Sequence, residues 1–426
     1  MMTSAEAFSA IEDIANYKEV DQLLVDLLRY PSAQTERLED DPQLKKFIVE
    51  MIAPRLAELS GSAGAIDAMG NLIWRLGGGA SGETGRGLLL MGYAMTFPAA
   101  SIKQPFSGVF VDGEAFGAPA QCALGRGACE QKGALAAMIY AAAIVARVQL
   151  NLRAPLSMAV SLAGETGRHD AAKFILENDS ISAHSAIIGL GTNNRICLGN
   201  KGRIDVEIIV QGKSAHSSMP EQGINAVDGF RRVMQRLDRL PLKAGHCGLG
   251  NATLTVTQVT SGPDISHTIP DVCRAVLDRR LLPGEDPDAA FREIKETLQD
   301  LRGWSVAVRR GAFMYPAEVA GDAAIVAAID RASRELTKKE SELFYSPAAL
   351  DAGFLNRNGI ETIMFGPGDL RFAHTDQEAV PLKDVRDAAK IYAATAMQLL
   401  RSREYGTHHE GTKDTKLAAE KGRHRA

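Results

Sequence analysis

The chain has 426 residues, 45% apolar and 23% charged, with a formal net charge of −4. That length exceeds what one small core supports, so two domains are expected, and the mildly acidic balance leaves no basic footprint for nucleic acid. The five cysteines (Cys122, Cys129, Cys197, Cys247 and Cys273) are odd in number, scattered and without a CxxC pair. They argue for reduced thiols against a disulfide framework or a zinc knuckle.

The N-terminus opens polar and acidic, without the basic and then apolar pattern of a signal peptide. Helical periodicity covers Val20–Arg29 and Gln43–Leu59. Strand-like runs then alternate with helices: Asn71–Leu76, Gly87–Met91, a helix after Gly133, Leu156–Leu162, a helix from Asp170, and Ser185–Leu190. Strands separated by helices predict an α/β layer with a largely parallel sheet. The most apolar long run, Gly133–Leu150, is Ala-rich, carries Arg147 and barely reaches spanning length. It reads as a buried helix rather than a membrane span, and the protein as soluble and cytoplasmic with no membrane partner.

After Lys201 the grammar changes. Ile204–Val210 alternates as a strand, Ile224–Leu240 is an amphipathic helix, and Ala252–Val259 and Arg274–Leu281 are strands. Asp288–Leu301 is a helix and Ser305–Arg310 a final strand. The order βαββαβ is the ferredoxin-like arrangement. It predicts a compact domain over 202–311 inserted into a larger α/β domain formed by 1–201 and 312–400. That larger domain resumes with a helix near Ala323–Leu336, a strand at Glu361–Phe365 and a helix over Leu382–Leu400. The tail, 401–426, is charged and poor in apolar residues, the composition of a disordered segment.

Four segments fall at strand ends, where α/β sheets usually build their sites. They are "LLLMGYAMTFP" from Leu88, the glycine-rich turn "GRGACEQKG" presenting Glu130, "AGETG" presenting Glu165, and "FGPGDLRFAH" presenting His374. Taken singly, each acid or imidazole fits a surface or capping role. Asn225 reads as a turn or cap, and Arg126 and Lys132 as solvated or paired with nearby acids.

Together with "GKSAHSSMPEQGINAV" and "IPDVCRAVLDRR", these segments resemble the aminoacylase, carboxypeptidase G and succinyl-diaminopimelate desuccinylase family of two-zinc hydrolases, over about residues 20 to 400. The resemblance implies a three-layer α/β/α zinc-exopeptidase-like domain with the inserted domain as a lid and dimerisation module. It also implies an altered site. The family's first-metal His falls on Tyr93, the Asp orienting that His on Met95, and the bridging Asp on Glu130. The paired Glu-Glu falls on Gly164 and Glu165, which leaves the general-base position empty. A further acidic ligand falls on Leu190, and the C-terminal His ligand on His374.

Sorted by metal, the second-metal set Glu130, Glu165 and His374 persists, whereas the first keeps only Glu130. One divalent transition metal per subunit is expected, manganese, zinc or iron, since such an oxygen-rich set suits several ions. Tyr93 is the candidate catalytic group in the altered half, with a packing role as the alternative. In the lid, the resemblance assigns His216 to oxyanion stabilisation in a neighbouring subunit's site. It assigns Arg280 to a substrate carboxylate, with His267 replacing the family's Asn nearby; a forked guanidinium suits that task. The expected partners are a small-molecule substrate and further copies of the chain, at least a dimer through the lid.

Three functions remain open. Amide hydrolysis is weakened by the lost base, because general-base assistance is typically worth about 10²–10⁴-fold. A non-catalytic metabolite binder leaves the persisting ligand set unexplained. The reading preferred from the residues is hydrolysis of another C–N bond, exchanging an aromatic amino group for hydroxyl.

Overall fold

A computed structural model describes residues 4–77, 86–99, 102–117, 120–164, 167–179 and 181–401 of the chain. Glu165 and the tail from 402 onward lie outside the described residues.

The larger unit is built on a nine-stranded sheet. At its centre the strand Gly87–Tyr93 pairs in parallel with Leu156–Ser161 on one side and Ala183–Gly189 on the other, and Glu361–Phe365 continues the parallel run. These strands are almost continuously buried, the mark of a parallel sheet covered on both faces. Leu72–Leu76 adds antiparallel to Leu156–Ser161. On the far side Ile196–Asn200 pairs with Leu343–Ser346 and with Ala317–Glu318. Helices Gly133–Val148, Ala324–Thr337 and Leu382–Leu400 form one packed group with the N-terminal helices, while Asp170–Asn178 and Ala352–Arg357 pack as another. This is the large sheet with helices expected from the alternation of the sequence.

The helix Gly133–Val148 owes its burial to Ala and Gly, which let it approach both the sheet and Leu382–Leu400 closely. Within the apolar helical stretch Ala128–Val148, 83% of an 18-residue run is buried inside the protein, so its hydropathy is that of a core element. Gln43–Leu59, expected as one helix, is three pieces. Pro42–Phe47 leads into a wide turn over Ile48–Ile52, and Ala53–Ser60 follows with Pro54 in its first turn. Proline cannot donate the interior helical bond, so the ladder loosens before it. A small three-stranded sheet of Val109–Asp112, Gln121–Leu124 and Ala379–Pro381, absent from the sequence reading, ties the glycine-rich turn to the segment after His374.

The second unit has its own sheet, in the order Thr253–Gly262, Val272–Leu281, Gly202–Gln211, Ser305–Met314, all antiparallel. Helices Ala226–Leu237 and Pro287–Thr297 cover one face, and Ile204, Val206, Ile208, Val233, Leu277 and Ile294 form a core separate from that of the larger unit. Asn225 caps the first helix by accepting from the Val227 N–H. The chain order is βαββαβ.

Candidate metal centre

Glu130 is placed by a backbone device. Gly127, at φ +84°, turns the chain from strand into helix, and a Cβ there would lie 2.5 Å from Thr96 Cγ2. The first turn then opens to π-helical spacing over Ala128–Lys132, with the Lys132 N–H donating to the Gly127 carbonyl at 2.8 Å. Such wide turns recur at functional sites because they re-aim one side chain. Glu130 is buried here, 4% exposed. His374 arrives from the loop after Glu361–Phe365 with φ +63°, a left-handed conformation uncommon for residues other than glycine.

The two side chains meet: His374 Nε2 lies 2.9 Å from Glu130 Oε1. That hydrogen bond is the main reason the imidazole is held above its usual pKa. The second carboxylate oxygen, Oε2, is buried with no hydrogen-bond partner among the described residues. A buried carboxylate oxygen without a donor is costly unless a cation or water completes it. The donor set thus fits a divalent metal: a carboxylate with a spare oxygen beside an imidazole, at the mouth of the strand ends. No group of three or more His, Cys, Asp or Glu is assembled among the described residues. Cys129, next in the chain, offers no thiolate, since burial and then Glu378 and Glu130 push its pKa well up.

Buried charge braces this half of the site. Arg126 and Glu378 are fully buried and paired at 2.6 Å, and Arg126 also donates to the Ala99 and Thr375 carbonyls, the latter beside His374. Arg126 is therefore paired, whereas Lys132 is not solvated at all. It is buried, donates to the Tyr30 carbonyl at 2.6 Å and lies over the Phe47 and Phe106 rings. Burial lowers it to about 7 against the pull of Glu378. The Phe97 ring lies against the His374 ring, centroids 3.7 Å apart and planes tilted by 39°. Beside them opens a cleft of about 510 Å³ lined by Gln34, Thr35, Leu38, Phe97 and Pro98.

The altered half is filled by protein. Tyr93 ends the central strand and is fully buried. Its ring stands where a side chain at Gly164 would begin: a Cβ on Gly164 would lie 2.0 Å from Tyr93 Cε1 and 2.1 Å from Cδ1. The Tyr93 hydroxyl donates to Asp351 Oδ2 at 3.0 Å, and Asp351 Oδ1 lies 2.7 Å from His169 Nδ1. Met95 is also buried, its sulfur 4.0 Å from the Gln131 amide nitrogen. Leu190 is buried, and the next N–H, of Gly191, donates to the Glu130 carbonyl at 3.0 Å. The positions singled out in the sequence are thus neighbours, although Glu165 lies outside the described residues.

The lid residues stand apart. His216 and His267 are exposed on adjoining turns, the Ser217 N–H donating to the His267 carbonyl at 2.9 Å. The Ser218 N–H and hydroxyl engage His216 Nδ1, which leaves the ring proton on Nε2. Neither His216 nor His267 bonds to Glu130 or His374 among the described residues. Arg280 is gripped at both ends by Asp278, at 2.8 and 3.0 Å, and faces Arg203 across the sheet. Arg203 in turn lies 3.8 Å from where a Cβ on Gly167 would be, so it brings a lid cation up to the end of the "AGETG" loop.

Asp351, His169, Phe97 and Arg203 escape sequence reasoning. Asp351 and His169 both read as residues opening short helices, yet the Asp351 carboxylate makes no capping bond. An unused cap is visible only once the fold is known.

The peptidase family M20/M25/M40 matches residues 96–398. The chain is 30% identical to an acetylornithine deacetylase of Myxococcus xanthus, over 64% of this chain and 71% of that protein. It is 26% identical to the uncharacterized protein YgeY of Escherichia coli K12, over 92% and 97%. The M20 family metallo-carboxypeptidase Sso-CP2 from Sulfolobus solfataricus shares the fold at a TM-score of 0.71 and 18% identity, over 88% of this chain and 97% of that one. A dinuclear metal-binding M20 peptidase, the YXEP protein of Bacillus subtilis, does so at 0.65 and 15%, over 90% and 98%. The match spans well over half of the sequence: the chain belongs to the M20/M25/M40 peptidase family of metal-dependent hydrolases.

Proposed function

We propose that this chain is a metal-dependent hydrolase of a small carboxylate-bearing substrate, cleaving a C–N bond, with amides of the N-acyl amino acid or peptide type as its first candidates. The observation that carries this is the buried Oε2 of Glu130, without a hydrogen-bond partner among the described residues, beside the His374 imidazole. The similarity to a deacetylase and to carboxypeptidases supports the amide.

Glu130, His374 and Glu165 would hold one divalent ion, manganese, zinc or iron. When bound, it would polarise the substrate and acidify a water. Glu130 brings negative charge to a buried point, and Arg126 with Glu378 holds the His374 loop in place. Phe97 and the neighbouring cleft take the substrate's organic part. Arg280 and His267 bind its carboxylate, and Asp278 pre-orients the Arg280 fork. A homodimer through the lid would let His216 serve a neighbouring site. The long strand Thr253–Gly262 at the edge of the lid sheet, with Val259 exposed, suits such pairing.

A second reading rests on Tyr93 standing at the empty base position. The pattern at Tyr93, Glu130, Gly164 and His374 resembles 5-nitroanthranilic acid aminohydrolase, which would convert 5-nitroanthranilate to 5-nitrosalicylate and ammonia. A ring carbon para to a nitro group passes charge into the nitro oxygens, so attack there needs less assistance than attack on an amide.

The test is turnover by metal-loaded protein of N-acyl amino acids, dipeptides and 5-nitroanthranilate side by side. Amide turnover supports the first reading and release of ammonia from the nitroaromatic the second. Metal uptake without turnover of any of them refutes both.

A further inference from the structure

We propose that Asp351 and His169 are positioning residues that hold the Tyr93 phenol as a one-way hydrogen-bond acceptor in the place of the missing catalytic carboxylate. This rests on the hydrolase reading of the same site. The Tyr315 backbone N–H donates to His169 Nε2 at 3.0 Å, so the ring proton sits on Nδ1 and is given to Asp351. Asp351 thus accepts from His169 on one oxygen and from Tyr93 on the other. A phenol has one proton. With that proton committed to Asp351, Tyr93 meets any further group, such as the attacking water or the departing amine, as an acceptor.

Four further observations make the triad more than packing. All three members are buried, from 0% to 7% exposed, and a buried carboxylate is tolerated only with such bonds. Asp351 opens the helix Ala352–Arg357 but leaves the cap unmade, turning its side chain inward instead. An Asp at a helix start would ordinarily gain about 1 kcal/mol by capping, so this one breaks a local rule for the sake of the triad. His169 is held between aromatic faces, parallel to Tyr315 at 5.5 Å and stacked with Phe354 at 5.2 Å. Tyr315 follows the last lid strand, so the point where the lid rejoins the larger unit also fixes the ring that orients Asp351. The phenol ring fills the space where a side chain at Gly164 would begin, the position that the resemblance gives to the family's base.

Asp351→Asn tests this with little change of volume. Its carbonyl takes the His169 Nδ1–H, which places the amide N–H₂ against Tyr93 and forces the phenol proton outward. The acceptor becomes a donor. The expected result is retained metal uptake, KM within about 3-fold, and kcat lower by about 10- to 100-fold, the scale of a misplaced catalytic group. Tyr93→Phe should lose a similar factor, and the double variant no more than either single. His169→Asn, able to supply an N–H in the same direction, should keep most of kcat, whereas His169→Ala should not. Unchanged kcat in Asp351→Asn, or losses that multiply in the double variant, would overturn the proposal. Ultraviolet resonance Raman of wild type minus Tyr93→Phe reads the phenol without any turnover. It should report a phenol that donates in the wild type and one that accepts from the introduced amide in Asp351→Asn. A wild-type Tyr93 that does not donate refutes the triad even if the enzyme is active. An enzyme inactive on every substrate tried refutes the hydrolase reading while the Raman result stands.

Discussion

Gly164→Ala is the smallest change that probes the altered half of the site. Gly164 does not have a positive φ, so the substitution carries no left-handed strain. Its added methyl would instead lie 2.0, 2.1 and 2.6 Å from Tyr93 Cε1, Cδ1 and Cζ. The ring ends a central strand and is fully buried, so it can yield only by leaving Asp351. Overpacking costs about 1–3 kcal/mol. Losing a buried hydrogen bond to a charged group adds about 1.5–3 kcal/mol. Together these give a loss of about 2.5–6 kcal/mol. In a Tyr93→Ala background the same methyl enters vacated space and should cost less than about 0.5 kcal/mol, so the two sites should couple by about 2 kcal/mol or more. Urea unfolding followed by tryptophan fluorescence measures this cleanly in a Trp304→Phe background. There Trp74, buried in the strand Leu72–Leu76, reports the larger unit alone. A Gly164→Ala loss below about 0.5 kcal/mol, or a loss additive with Tyr93→Ala, would refute the claim that the ring and the glycine are a matched pair.

Glu130→Gln and His374→Ala should each weaken divalent metal binding by at least about 10-fold, measured by calorimetry; unchanged affinity in both would place the metal elsewhere. Breaking the buried brace with Glu378→Ala leaves Arg126 uncompensated and should destabilise by about 3–5 kcal/mol. Its thermal transition should fall clearly below that of an exposed control such as Glu58→Ala, and equal transitions would contradict the assigned burial. Lys132 gives a pH signature. Its folded pKa of about 7 lies below the unfolded value of 10.5, so between them the unfolded chain binds the extra proton. Stability of the metal-free protein should therefore rise with pH across that window, by at most about 1.4 kcal/mol per pH unit. Lys132→Met should flatten the rise; an identical slope in both proteins would show that Lys132 does not titrate there.

Strand and helix spacing in the sequence carried the frame because the lid elements alternate between a buried and an exposed face and the central strands are short apolar runs. The lid order βαββαβ and the strand Glu361–Phe365 are legible in alternation and apolar runs. The pieces that escaped are short or depend on distant partners. Gln121–Leu124 has four residues and no meaning without Val109–Asp112 and Ala379–Pro381. At the site, Glu130 and His374 lie 244 residues apart, but each stands in a strand-end motif that advertises it. Tyr93 stands in such a motif too, but Asp351, 258 residues away, carries no such sign. Tyr93 looks like a lost ligand, Gly164 like a lost base and Asp351 like a cap. Only their contact makes the two apparent losses a single replacement.

Metal stoichiometry tests that replacement most directly. Protein saturated with manganese or zinc, gel-filtered and assayed by plasma mass spectrometry, should hold close to one ion per chain. Loss of that ion in Glu130→Gln and its retention in Tyr93→Phe would place it in the Glu130–His374 half. Two tightly held ions per chain in the wild type, both lost with Glu130, would contradict the account: the half filled by Tyr93 would then still be a metal site.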